Sequence, residues 1–301
     1  MSRLGQVVSH LGQTVDVFSK GEVFRCHVRQ NVASIVVGDY VSFSPVREEN
    51  QMVFVVVERE KRRSLLSRPD VYKKQKEVVA NVDQMLITMA VYPELIPHFL
   101  DKYLVAATLQ GIRPIILLNK ADLLTEQSMG KSISLLQRYR DLGYVALLVS
   151  QSQDLAELES YLRGKLSIFV GPSGVGKSAL INAILRKNQA AVGEMSVANQ
   201  KGCHTTTRSN LYPLEISDGE IVSGIIDSPG IREFGLWNIS PAQAALGFIE
   251  FEPYLGRCKF RNCTHENTPG CALEVGRKEK KISPERWESF LRLLAETARS
   301  R

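Results

Sequence analysis

Residues Gly171-Pro172-Ser173-Gly174-Val175-Gly176-Lys177-Ser178 spell G-x-x-x-x-G-K-S, and no other feature so restricts what this 301-residue chain can fold into. Such a loop works only between a strand and a helix. Its glycines let backbone N–H groups curl around a phosphate, and the following helix N-terminus favours the negative charge. Lys177 then reaches the β- and γ-phosphates while the Ser178 hydroxyl is placed to bind Mg²⁺. The flanks agree, since Leu166–Val170 reads as the strand and Lys177–Arg186 as the helix.

A phosphate loop does not choose the base, but Asn119-Lys120-Ala121-Asp122 does. It ends the apolar run Pro114–Leu118, where α/β sheets place their ligands. The Asp122 carboxylate can accept from both N1–H and the exocyclic amine of guanine, a pair of donors that adenine lacks. The Asn119 amide suits the other edge of the purine, and the Lys120 stem can lie against the ring. Asp227-Ser228-Pro229-Gly230 follows the strand-like run Ile221–Ile226, so that Asp227 reaches the Mg²⁺ shell and the Gly230 N–H senses a γ-phosphate. Between these motifs lies Gly202-Cys203-His204-Thr205-Thr206-Thr207, whose Thr207 is the expected Mg²⁺-binding threonine. In ordinary small GTPases N-K-x-D comes last; here it precedes the phosphate loop. The order is that of a circular permutation, tolerable because the same elements still pack together.

The surroundings divide into three. Residues 1–68 hold five short runs, Gln6–Ser9, Thr14–Phe18, Glu22–Arg29, Tyr40–Phe43 and Met52–Glu58, which predict a small β-barrel of the OB or SH3 type. Arg59, Lys61, Arg62, Arg63 and Arg68 lead out of it as a basic linker. Residues 69–236 alternate strands with helices, the clearest helices being Ile96–Gln110, Glu126–Leu142 and Lys177–Arg186, as a mostly parallel sheet covered on both faces requires. Residues 237–301 read as short helices closing with an amphipathic one at Pro284–Ala298. Charge follows the same division. Residues 1–75 and 251–301 each carry a net +4 and the middle −2, which suggests that the ends hold an anionic partner, nucleic acid first. The longest stretch free of charged residues, Phe234–Ile249, is 16 residues and broken by Gly235, Pro241 and Gly247, too short for a bilayer. With no apolar leader at the N-terminus, neither a membrane nor a secreted protein is expected.

Within 237–301, Cys258, Cys263, His265 and Cys271 put three thiols and one imidazole in 14 residues. That donor set fills a tetrahedral Zn²⁺ site with no open position, so one zinc in a structural role is expected. Cys26 and Cys203 have no such neighbours and read as ordinary small residues.

Together, the five-strand barrel, the permuted core, G-x-H-T-T-T at 202–207, D-S-P-G-I-R-E-F-G-L at 227–236 and the terminal Cys/His cluster resemble the ribosome small-subunit-dependent GTPase A family of bacteria. The resemblance runs over essentially the whole chain. It implies an OB-fold, a circularly permuted P-loop GTPase domain and a mainly helical zinc-binding domain. It also implies a cytoplasmic enzyme that binds the small ribosomal subunit and its rRNA late in maturation and hydrolyses GTP to GDP. The family's nucleotide contacts carry over intact to Asn119–Asp122 and to Gly171–Ala179, with Ala179 ending the second run. The fifth GTPase element, Ser-Ala in the family, departs here to Val149-Ser150-Gln151. A monomer without membrane contact is expected. A non-catalytic, GTP-gated RNA-binding scaffold is the alternative, and a small-molecule kinase is disfavoured by the guanine motif.

One further departure bears on catalysis. Small GTPases carry a water-orienting glutamine after D-x-x-G, and here Ile231 has no hydrogen-bonding group. His204 is the nearby polar residue, and the resemblance implies a catalytic role for it beside Lys177. Slow intrinsic hydrolysis, accelerated by the ribosomal particle, is therefore expected. Because D-x-P-G runs straight into the zinc domain, that domain is expected to shift with the bound nucleotide.

Overall fold

A computed structural model describes residues 2–48, 51–69, 75–92, 96–192, 208–228, 239–266 and 268–299. Its first five strands are β1 (Arg3–His10), β2 (Thr14–Ser19), β3 (Glu22–Val28), β4 (Tyr40–Glu48) and β5 (Gln51–Arg59). They pair in the order β1-β2-β3-β5-β4, and β4 returns to β1, closing a barrel. Only β3 with β5 is parallel. This connectivity is that of the OB-fold, settling which of the two barrel types the sequence specifies. Val7, Val15, Val17, Val41, Phe43 and Val56 fill the interior, with Phe24, Phe43 and Phe54 in mutual ring contact. The β2–β3 turn has Lys20 at φ 51° and Gly21 at φ 84°, the positive angles a two-residue hairpin turn needs.

The basic stretch after the barrel is not a free linker. Arg62 forks onto Asp39, which is fully buried, with Nε–Oδ1 2.6 Å and Nη2–Oδ2 2.8 Å, and it also meets Glu77 at 2.7 Å. Arg63 pairs with Asp83 at 2.8 Å. The chain then forms a hairpin of β6 (Leu65–Pro69) and β7 (Gln75–Ala80). Leu66 and Val79 enter the core of the central sheet, so a boundary at 68/69 would cut this hairpin in two.

The central sheet contains β8 (Gln84–Ala90), β9 (Arg113–Asn119), β10 (Val145–Leu148), β11 (Leu166–Val170), β12 (Asn210–Ser217) and β13 (Glu220–Asp227). Its order is β10-β9-β8-β11-β13-β12, parallel except for β12 against β13. All seven residues of β8 are buried, which explains its unbroken apolar run: a central parallel strand is covered on both faces. One face is packed by α1 (Pro97–Leu109) and α2 (Glu126–Asp141), the other by α3 (Ala156–Leu162) and α4 (Lys177–Val192). Thr125 caps α2 in a reciprocal capping box with Ser128. Pro213 sits inside β12, whose pairing to β1 is confined to Ser9–Asn210, so no second ladder needs its missing N–H.

The C-terminal part comprises α5 (Pro241–Leu246), a 3-10 segment Ile249–Tyr254, α6 (Ala272–Lys278) and α7 (Pro284–Arg299). Phe248, Phe251, Trp287 and Phe290 form its aromatic core, joined by Val105 of α1. Arg286, buried on α7, donates to both carboxylate oxygens of Glu250 at 2.6 and 3.0 Å and to Asp101 of α1, which also accepts from Tyr139 Oη at 2.7 Å. Burial alone would lower the Arg286 pKa, but Asp101 and Glu250 raise it and keep the guanidinium charged. The domain is thus seated on α1 by a buried seam, and any shift of it with nucleotide would have to carry α1 along. No helix among the described residues is long and apolar enough to cross a membrane.

Candidate functional site

The C-terminal ends of β8, β9, β11 and β13 meet at one edge of the sheet, where open α/β sheets bind ligands. The phosphate loop leaves β11 there and turns into α4. Gly171 has φ 134°, and a Cβ on it would lie 2.1 Å from the Thr88 carbonyl oxygen of β8. Gly176 has φ 91° and would meet Asn119 Nδ2 at 2.4 Å, with the Lys120 stem beside it. Both glycines are required by close approach as well as by angle. The Lys177 amine is buried and folds over its own loop, donating to the Gly171 and Pro172 carbonyls at 2.8 and 2.5 Å. Ser178 is exposed at the first turn of α4, as is Ser173 in the loop.

The base motif is tied directly to this loop. Asn119 Nδ2 donates to the Val175 carbonyl at 2.9 Å, while its Oδ1 is buried with no partner. Such an orphaned acceptor is costly unless a ligand donor meets it. Lys120 takes a left-handed φ of 63° and its amine caps the Tyr92 carbonyl at 2.9 Å. The Asp122 carboxylate accepts from the hydroxyl of Ser150, a fully buried side chain, and Ala121 N–H donates to Val149 O at 3.1 Å. Sequence reading found the departure at Val149-Ser150-Gln151 but missed this contact: Ser150 holds the Asp122 carboxylate of the N-K-x-D motif. The serine shared with the family's Ser-Ala element was the available signal.

Asp227 ends β13 directly opposite Asn210 of β12, and Ser228 beside it is buried, its hydroxyl 2.6 Å from Ser209 Oγ. The structure therefore gathers Asn119–Asp122, Gly171–Ala179 and Asp227 at one edge. Thr207, His204 and Gly230 lie outside the described residues.

The Cys/His cluster forms a second site, remote in sequence from the first. Its four ligand atoms lie within 4.8 Å of one another. His265 Nδ1 is 3.7, 3.5 and 3.5 Å from the sulfurs of Cys258, Cys263 and Cys271. A tetrahedral zinc with ordinary Zn–S and Zn–N lengths puts those edges at about 3.6 Å. The donors fit the ion. Burial lowers the His265 pKa and keeps the imidazole neutral, as a ligand must be, while burial pushes the Cys271 thiol up to about 11, a proton that only a metal would displace at neutral pH. Ala272 N–H, at the start of α6, donates to Cys258 Sγ at 3.4 Å.

A phosphate loop joined to a guanine motif that precedes it in the chain defines the class: a circularly permuted P-loop GTPase. The RsgA GTPase family model matches residues 59–237, and the chain belongs to that family. It is 45% identical over 294 residues to the small ribosomal subunit biogenesis GTPase RsgA of Pseudomonas aeruginosa (strain LESB58), covering 97% of this chain and 84% of that one. To the protein of the same name from Dickeya dadantii (strain 3937) it is 41% identical over 300 residues, with 98% and 84% covered. Among solved structures it resembles YjeQ from Thermotoga maritima, with TM-score 0.78, 28% identity and full coverage of both chains. It also resembles YloQ, a circularly permuted GTPase, in fold, with TM-score 0.73, 23% identity and coverage of 100% and 96%.

Proposed function

We propose that the chain binds the small ribosomal subunit and hydrolyses GTP to GDP and phosphate during late subunit maturation, as a cytoplasmic monomer. The observation that carries this is the pairing of Asn119 with Val175 and of Ser150 with Asp122. Together they fix a guanine reader against a phosphate loop. The relatives' names supply the small subunit.

In this reading Asp122 accepts from the two guanine donors, Asn119 serves the other purine edge, and the Lys120 stem covers the ring. The backbone from Gly171 to Ala179, through Pro172, Ser173, Gly174, Val175 and Gly176, wraps the phosphates. The Lys177 amine leaves its two loop carbonyls for the β- and γ-phosphates, exchanging neutral acceptors for charged ones. Ser178, Thr207 and Asp227 would hold the Mg²⁺, which when bound neutralises phosphate charge. Gly230 senses the γ-phosphate, and His204 orients the attacking water in place of the residue that Ile231 replaces. Cys258, Cys263, His265 and Cys271 would hold the zinc, whose role is structural. The barrel and the zinc domain contact rRNA, but with Arg62 buried on Asp39 and Arg59 also beside Asp39, the contacts from the 59–68 stretch fall to Lys61, Arg63 and Arg68.

Phosphate release at steady state, measured alone, with purified small subunits and with large subunits as control, tests the reading. Stimulation by small subunits alone is expected. GTP-dependent binding to small subunits without any phosphate release would instead establish the scaffold alternative.

A further inference from the structure

Among the contacts that join the barrel to the central domain, one strand rung lies level with the nucleotide edge of the sheet. Ser9 of β1 is the recorded Cα partner of Asn210 of β12, and Ser9 Oγ donates to Asn210 Oδ1 at 2.8 Å. On its other side, Asn210 is the Cα partner of Asp227. Three strands from two domains therefore line up as Ser9–Asn210–Asp227, with barrel and carboxylate two strand spacings apart, about 10 Å. One residue either way, Ser209 bonds to Ser228, so both the root of the segment carrying Thr207 and the residue after Asp227 are stapled at the same level. Ser9 is buried, and a buried, directional bond of this kind fixes lateral position more tightly than apolar packing does.

We propose that Ser9 and Asn210 are positioning residues for the Mg²⁺ end of the GTPase site, so that the barrel sets where Asp227 stands. The proposal rests on the GTPase reading and on Asp227 as a Mg²⁺ ligand. Neither Ser9 nor Asn210 touches nucleotide; each acts through its neighbour. A partner bound on the barrel would steady the rung and with it the metal end of the site, which gives the N-terminal domain a part in turnover beyond attachment.

The test uses the full chain. GDP affinity without Mg²⁺, thermal melting, the Mg²⁺ concentration for half-maximal GTP turnover, and turnover stimulated by small subunits are measured for wild type, Ser9→Ala, Ser9→Thr and Asn210→Ala. Ser9→Ala is expected to leave Mg²⁺-free GDP affinity unchanged, to raise the half-saturating Mg²⁺ concentration about fivefold and to cut stimulated turnover similarly, the size of one lost hydrogen bond. Ser9→Thr, which keeps the hydroxyl, should restore both. Asn210→Ala removes the same bond from the core side and supplies the measurement should Ser9→Ala not fold. If the Ala variants melt earlier but keep wild-type Mg²⁺ dependence and stimulation, the rung is only structural and the proposal is overturned. If wild type itself hydrolyses GTP without Mg²⁺ dependence, the metal reading fails and takes the proposal with it.

Discussion

On its N-terminal side the central domain meets the barrel through separate backbone bonds and a small apolar patch of Val8, Phe18 and Val37; on its C-terminal side it meets the zinc domain through an aromatic core and buried ions. The first seam holds a strand rung at Ser9–Asn210, a bridge from Val37 to the β6–β7 hairpin where Ala80 N–H donates to Val37 O at 2.9 Å, and two hairpin turns in contact, with Gly21 N–H donating to Gly219 O at 3.2 Å. The second is an aromatic core that takes in Val105, riveted by Arg286 between Asp101 and Glu250. His98 and Lys102 of α1 add bonds to Glu296 of α7 at 2.7 and 2.8 Å. A side-chain seam depends on volume and charge and is expensive to break. A backbone seam is narrow but keeps register, and register is what a nucleotide site at strand ends can feel. The molecule is therefore held firmly at one end and aligned at the other.

The largest expected effect is on the firm side. Stripping zinc with a chelator, or Cys271→Ser, should unfold the loop 258–271 and loosen α6, since structural zinc in small domains is worth on the order of 10 kcal/mol. Limited proteolysis alongside zinc content would read this; a zinc-free chain as resistant as the native one would show that the aromatic core holds the domain unaided. Next, Arg286→Ala leaves Asp101 and Glu250 buried without their cation, and should cost about 3–5 kcal/mol in urea unfolding. A cost near zero would mean that the seam is apolar in substance and the ion set an accessory.

The barrel side should yield less. Gly219 has φ 75°, and a Cβ there would come within 2.6 Å of Lys20 Cα in the facing turn. Gly219→Ala should cost about 1–3 kcal/mol. Gly12→Ala is the control, because Gly12 has φ 90° but nothing within 4 Å of the added carbon. Equal losses in the two variants would mean that the turns merely lie near each other and add nothing to the seam.

The same contrast decides what could be read from sequence. The phosphate loop, N-K-x-D and the Cys/His spacing are local: each packs its chemistry into a few consecutive residues, and the permuted order is simply their order. The barrel strands were legible as Val-, Phe- and Thr-rich runs between glycine and charged turns, as the match of β1 to β5 with the expected runs shows. What escaped depends on distant partners. Arg62 reads as a linker charge until Asp39 and Glu77 are placed beside it. The strand β6, Leu65–Pro69, contains Ser67, Arg68 and Pro69 and carries too short an apolar pattern to stand out, so its hairpin with β7 was invisible. The role of Ser150 escaped because its partner is a carboxylate 28 residues earlier. Helix α3 was missed for its length, since seven residues give barely two turns of periodicity.

The permuted order also gives the chain a history during synthesis. Strand β8 is flanked by β9 and β11, but β9 follows it closely whereas β11 begins only at Leu166. At ordinary elongation rates the interval from Ala90 to Leu166 takes about 4 to 15 s. Throughout that time the emerging guanine-reading half holds a strand with seven buried residues and one open hydrogen-bonding edge, the kind of edge on which chains aggregate. Its protection comes from the half that will carry the phosphates. A ribosome that pauses between these two strands would therefore leave this nascent chain at its most vulnerable, with the barrel strands already made and the zinc domain not yet begun.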